Sequence, residues 1–243
     1  MLTTRDIEAV AVSEREALLK YTGLSDHELV NVRLEREPFP RIDFNHWDGI
    51  IMCGSSYDVS EDEDLKSLKQ KDIERNLDVL SQEVIRRDFP LFGICYGLGI
   101  MTRMLGGKVG PEISEDMSAP VLTVTPEGAR DPIMEGVPAE FRAYVGHHES
   151  VIVPPPQMTK LVEGQIAPWQ MARIGRNVYL TQFHPELDFE GMTVRVESFA
   201  DHGYFKPHER ADVEARIAGV DTSPGHRILR NFVDRFSGGS SAA

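Results

Sequence analysis

Two short segments carry residue types and spacings suited to covalent chemistry. In FPLFGICYGLGIMTRMLGG, residues 89–107, an apolar run leads into Gly93, Cys95 and Gly97 and then into a helical pattern. A G-x-C-x-G sequence at a strand-to-helix junction permits a tight turn that stands the thiol above the carboxyl edge of a sheet. A helix N-terminus favours thiolate over thiol, and cysteines so placed titrate at roughly 3.5–7.5 rather than about 8.5. Cys95 is therefore a candidate nucleophile, although a free cysteine also packs as a small hydrophobe. The second segment is VYLTQFHPEL, where a strand pattern delivers His184 with Glu186 two residues later. Side chains two apart on an extended backbone share a face, so Glu186 can accept from one imidazole nitrogen while the other faces Cys95. Read alone, an H-P-E segment is a surface turn; beside the cysteine motif it supplies a base and its orienting carboxylate.

Such a pairing needs a scaffold that carries residues near 95 and 184 to one edge. The stretch around Leu2 to Thr4 is a short first strand, and SEREALLKYTG predicts a helix with Ser13 as N-cap, Glu16 three residues on and Gly23 as its stop. ELVNVRLE alternates like a half-buried strand, and WDGIIMCG reads as a strand buried on both faces. Apolar residues from Leu65 to Ile85 recur at helical spacing, PLFGIC is another buried strand, and YGLGIMTRMLGG is a helix closed by Gly106 and Gly107. This alternation predicts a parallel sheet covered on both faces. The second half turns to strands joined by Pro and Gly: APVLTVTP, GHHESVIVPPP, TKLVEGQ and QMARIGRNVYLTQF. Helices return after Asp188, the last from about Gly225 to Phe236. The expected division is one domain over 1–236 and a flexible tail over 237–243.

The chain has 243 residues and a formal charge of −13, a balance that disfavours nucleic acid and anionic lipid as partners. No apolar run is long enough to span a bilayer, and the first residues lack a secretory pattern, so a cytoplasmic location is expected. Cys53 and Cys95 are then expected to stay unpaired. His147 and His148 are adjacent and point to different sides of a strand, so no metal site is expected, and no cofactor.

The combination of GICYG with QFHPEL resembles the class I glutamine amidotransferases, over most of the chain from WDGIIMCGS to FHPEL. The resemblance implies a flavodoxin-like three-layer α/β/α sandwich with a mainly parallel sheet and a smaller antiparallel addition. It also implies hydrolysis of the glutamine side-chain amide, with ammonia passed to a synthetase partner. Cys95 would attack the amide carbon, His184 would shuttle protons, and Glu186 would orient His184. The backbone N–H of Tyr96 and one from the Gly54–Ser55 turn would hold the oxyanion. GHHESV resembles the family's H-x-D-x-V element, found in the amidotransferase portion of GMP synthase and in stand-alone relatives; His147, Glu149 and Val151 match, with backbone near the element touching the substrate's amino-acid end.

The family pattern C-[FY]-G-x-Q places a substrate-holding glutamine where this chain has Gly99, and Ser55 replaces the second glycine of a G-G pair. GPEISEDMSAP stands where a G-W-x-x-G-like stretch is usual. Neither G-x-x-x-x-G-K-[ST] nor S-G-G-x-D-S occurs, so this chain does not activate an acceptor by itself. The leading expectation is a glutamine amidotransferase module of GMP-synthase-like type. One alternative keeps the triad and acts on another γ-glutamyl amide or peptide, with Gly99 enlarging the pocket; the other is a non-catalytic binding or regulatory subunit. HGYFKPHERADVEARIAG reads as a solvated or interface helix.

Overall fold

A computed structural model describes residues 1–199 and 210–238. The first half alternates strand and helix: β1 (Leu2–Thr4), α1 (Glu8–Thr22), β2 (Val32–Arg33), β3 (Ile50–Ser55), α2 (Leu68–Arg87), β4 (Leu91–Ile94) and α3 (Tyr96–Met104). Short strands then dominate: β5 (Lys108–Gly110), β6 (Glu115–Ser118), β7 (Val121–Val124), β8 (Glu140–Arg142), β9 (Val145–His147), β10 (Ser150–Val153), β11 (Met158–Glu163), β12 (Met171–Ile174) and β13 (Val178–Thr181). Three helices close the described chain, α4 (Phe189–Phe199), α5 (Arg210–Ile217) and α6 (Ser223–Phe236).

Nine strands make one sheet in the order β2-β1-β3-β4-β13-β12-β11-β7-β8. The first five pair in parallel and the remaining pairings are antiparallel. Two small antiparallel pairs, β5–β10 and β6–β9, stand apart from it. The strand period of two divides the core. On one face Ile51, Cys53, Phe92, Ile94 and Tyr179 pack with α1 and α6; on the other Ile50, Met52, Leu91, Val178 and Leu180 pack with α2 and α3. Both faces are covered, which is why these strands read as continuous apolar runs. Among the described residues no helix is long and apolar enough to cross a membrane.

Several elements differ from the sequence expectation. Helix α1 begins at Glu8, with Ile7 as an N-cap that offers no side-chain bond, so Ser13 is an interior residue; Gly23 does end it, in the left-handed region at φ 72°. Only Val32 and Arg33 of ELVNVRLE pair as strand. Of the charged segment spanning 202–219, residues 202–209 lie outside the described residues. Its later part is α5, which is not simply solvated: Val213 and Ile217 are buried against Tyr144 and Met117, and the Tyr144 hydroxyl donates to the Ile217 carbonyl at 2.8 Å. Of the expected tail, 239–243 also lie outside the described residues.

Candidate active site

The carboxyl ends of β1, β3, β4 and β13 meet at one edge of the sheet, where open α/β folds place ligands. Cys95 sits at the turn from β4 into α3 with φ 49° and ψ −87°, a conformation that costs a non-glycine residue roughly 1–3 kcal/mol and persists where surrounding bonds impose it. One such bond runs from the Cys95 N–H to the Thr181 carbonyl of β13 at 2.6 Å. The flanking glycines permit the elbow: a Cβ on Gly93 would lie 2.7 Å from Leu180 Cδ2, and one on Gly97 3.3 Å from the Met52 carbonyl oxygen. Tyr96 opens α3, where first-turn N–H groups have no intrahelical acceptor.

Strand β13 ends at Thr181, and the chain turns through His184, Pro185 and Glu186. His184 is anchored by its own N–H to the Tyr144 carbonyl at 2.8 Å. Its Nδ1 lies 2.8 Å from Glu186 Oε1, so the two side chains meet across a turn rather than along an extended strand. Because a carboxylate only accepts, Nδ1 carries the proton and Nε2 is left as acceptor. His184 and Glu186 are both buried. Gly54, at the end of β3, is closely approached by this group: a Cβ there would stand 2.6 Å from Arg5 Nη2 and 3.1 Å from His184 Cε1.

Two small cavities meet at Cys95. One, of about 20 Å³, is bounded by Cys95, Ser55, His184, Arg5 and Arg195. The other, of about 30 Å³, is bounded by Cys95, Ser55, Tyr57, Gly99, Glu149 and Gln182. Each has room for about one water molecule. The Gln182 amide donates toward the Cys95 sulfur at 3.6 Å. Glu149 accepts the N–H groups of Val59 and Ser60, both at 2.7 Å, and thereby pins the loop after β3 over the second cavity. Burial pushes the Glu149 carboxyl above its usual range.

Gly99 does not enlarge this pocket. A Cβ on it would lie 3.0 Å from Val59 Cγ2 and 3.5 Å from Glu149 Oε1, so the space is already filled. His147 lines the cavity but is held on both nitrogens, by the Glu149 carbonyl and by Glu115 Oε2, each at 2.9 Å. His148 is exposed and faces Asp58 at 3.5 Å.

The electrostatics correct the expectation of a pre-ionised thiol. Burial pushes the Cys95 thiol up to about 12, against the downward pull of Arg5 and Arg195. Burial, followed by the Arg195 guanidinium, drives the His184 imidazole well below the usual histidine range. Burial alone would raise Glu186, but His184 and Arg195 outweigh it and hold the carboxyl low. The resting site therefore contains a thiol, a neutral imidazole and a carboxylate. Cys53 is buried in β3 and unpaired, its thiol also pushed up by burial.

Residues that the sequence did not single out complete the surroundings. Arg5 bonds Glu14 Oε1 through Nε at 3.0 Å and Nη2 at 2.8 Å. Arg195 of α4 bonds Glu14 at 3.1 Å and Glu186 at 2.9 Å. His226 Nδ1 of α6 lies 2.8 Å from the Pro185 carbonyl oxygen, and Thr222, the residue before α6, donates to the Leu187 carbonyl at 3.2 Å. Arg5 alone had a local signal, a charged residue directly after a strand at its carboxyl end.

Comparison with known proteins places this arrangement in context. The family model for class-I glutamine amidotransferase matches residues 14–196. GMP synthase [glutamine-hydrolyzing] of Aliivibrio fischeri strain MJ11 is 30% identical over 146 residues, covering 60% of this chain and 25% of that protein. The same enzyme of Aquifex aeolicus strain VF5 is 33% identical over 99 residues, covering 40% and 19%. The chain thus spans about a quarter or less of the length of these relatives. Among solved structures, a glutamine amidotransferase from Thermotoga maritima superposes with TM-score 0.76 at 15% identity, covering 97% of this chain and 96% of that one. One from Methylobacillus flagellatus gives 0.67 at 14%, covering 92% and 89%. At such identities the likeness is one of fold.

Proposed function

This chain belongs to the class-I glutamine amidotransferases, and from that premise we propose that it is a GMP-synthase-type amidotransferase module. In this reading it hydrolyses the glutamine side-chain amide through a Cys95 thioester and delivers ammonia to a synthetase partner. The Cys95 thiol gives its proton to His184 Nε2 as the sulfur attacks the amide carbon. The tetrahedral oxyanion is met by the N–H of Tyr96 and one from the Gly54–Ser55 turn, each donor of this kind contributing about a hundredfold to a thousandfold in rate. His184 returns the proton to the departing nitrogen, the C–N bond breaks, and ammonia leaves a thioester. Water then gives a proton to His184 and attacks the thioester; the C–S bond breaks, the sulfur regains its proton, and glutamate is released.

The observation carrying this reading is that the strained Cys95 elbow and the His184–Glu186 pair border one small cavity at the sheet's carboxyl edge. With a resting thiol near 12, ionisation belongs to the step in which substrate displaces water and the oxyanion donors engage. Glu149, an acceptor only, suits the ammonium end of an amino-acid substrate, in place of the family glutamine that Gly99 lacks.

Glutamate release from glutamine, alone and with a candidate synthetase, beside a Cys95→Ala control, tests the reading. Cys95-dependent release supports it. Failure of both arrangements to release glutamate above that control would overturn it.

A further inference from the structure

Five buried groups from four parts of the chain form one continuous cluster around the candidate base. Arg5 follows β1, Glu14 lies on α1, His184 and Glu186 share the turn after β13, and Arg195 lies on α4. Thr3 donates to Glu14 Oε2 at 3.1 Å, Arg5 and Arg195 both donate to Glu14 Oε1, and Arg195 Nη2 shares Glu186 Oε1 with His184. Arg195 is the member that touches the imidazole. Its Nη1 lies 3.1 Å from Nδ1 and 3.2 Å from Nε2. A nitrogen equidistant from both ring nitrogens and in the ring plane would collide with Cε1, so the guanidinium lies across the ring face.

We propose that Arg195 is a positioning residue of the reaction: bonded to Glu186 and laid across His184, it fixes the ring with its Nδ1 proton on Glu186 and its Nε2 as the acceptor for the Cys95 proton. This rests on the reading of Cys95 and His184 given above. A guanidinium has donors and no acceptor, so it can donate toward Nε2 but takes no proton from the ring. It acts through geometry and charge. Two arginines and two glutamates sum to zero while the imidazole is neutral, and protonating His184 at rest would place a third positive charge in a dry site. Each group facing the ring agrees with this. Glu186 fixes Nδ1, Arg195 covers one face, Arg5 approaches past Gly54, Cys95 borders the shared cavity, and Glu14 bonds both arginines.

Removing Arg195 alone would leave Glu14 and Glu186 short of a counter-charge and endanger folding, so the decisive variant is charge-balanced: Arg195→Met with Glu14→Gln. The folded proteins are followed by histidine-ring NMR against pH, by Cys95 alkylation with iodoacetamide, and by the pH profile of kcat/KM for glutamine. In the unaltered protein His184 should be a neutral Nδ1–H ring at pH 6, where a free imidazole near 6.5 is mostly protonated. In the balanced double variant His184 should titrate higher than in the unaltered protein, with burial still holding it below the free value; the acidic limb of kcat/KM should move up with it, and kcat should fall about tenfold or more. Arg195→Lys, which keeps the charge but not the fork, should leave the titration low and still reduce kcat.

An unchanged titration and tautomer in the double variant, with only its melting temperature altered, would overturn the proposal. Full kcat in Arg195→Lys would do the same if the double variant does not fold. The NMR arm needs no turnover, so a protein inactive on glutamine but with the expected His184 behaviour would overturn the glutaminase reading and leave the role of Arg195 standing.

Discussion

The chemistry at the residue scale is governed by desolvation. Cys95 stands at a helix N-terminus with two arginines nearby, yet burial dominates and its thiol is pushed up to about 12. The thiolate is the reactive species. Iodoacetamide should therefore alkylate Cys95 more slowly than a free cysteine at pH 7, with a rate still rising at pH 10; mass spectrometry of the Cys95 peptide reads this out. A faster rate at pH 7 would mean that the elbow ionises the thiol at rest. Glu186 is the second test at this scale, since its one oxygen serves both the His184 Nδ1 proton and Arg195. Glu186→Gln retains the shape but replaces that ionic acceptor, and kcat for glutamate release should fall by about a thousandfold or more.

Elements matter here as devices that bring ends together. Gly54→Ala puts a methyl group into the approach of Arg5 and His184 at the end of β3. We expect a stability loss of about 1–3 kcal/mol and roughly a hundredfold loss of glutamate release, because an ångström of misplacement is enough. Helix α6 lies beyond the matched family segment, yet it supports the same turn. His226→Phe would retain the stack on Tyr21, whose ring lies 3.4 Å away at 7°, and lose the bond to the Pro185 carbonyl; unfolding free energy should drop by about 1 kcal/mol and kcat with it. The elbow at Cys95 and the pairing of Glu186 with His184 were legible in the sequence because their signals are local, glycines around a thiol and a carboxylate two residues from an imidazole, although the pair meets across a turn where the sequence suggested an extended strand. The parallel half of the sheet was legible too, from the continuous apolar runs that burial on both faces demands. Arg195, Glu14 and His226 were not, since each finds its partner across the fold and, in its own helix, looks like any surface residue. Ser13 misled as a cap because α1 draws its start from packing, with no capping side chain at Ile7. Gly99 misled because an absent side chain reads as space until Val59 and Glu149 are seen to occupy it.

The same burial that tunes the site makes the whole molecule sensitive to acid. His184 and His226 are both pushed below the usual histidine range, burial being the leading cause in each. The unfolded chain takes up their protons as pH falls through about 6.5, whereas the folded protein resists, so stability is lost below that pH. His148 has the opposite sign: its hydrogen bond to Asp58 raises it, adding stability below about 6.5 that disappears as pH rises. That side chain is about half exposed, at 47%, so solvent screens its contribution and the buried pair dominates. Acidification also lowers the net charge from −13 and eases self-repulsion, but those charges lie mostly on the surface and are screened over about 8 Å in physiological salt. Melting curves at fixed ionic strength should accordingly show a lower melting temperature at pH 5 than at pH 7.5, by a free energy of roughly 1–3 kcal/mol. The double variant His184→Gln, His226→Gln, with no imidazole to titrate at either site, should show a smaller pH difference even if it starts less stable. A melting temperature that rises toward pH 5, or a double variant as acid-sensitive as the parent, would mean that the exposed charges govern the fold's response and the buried histidines do not.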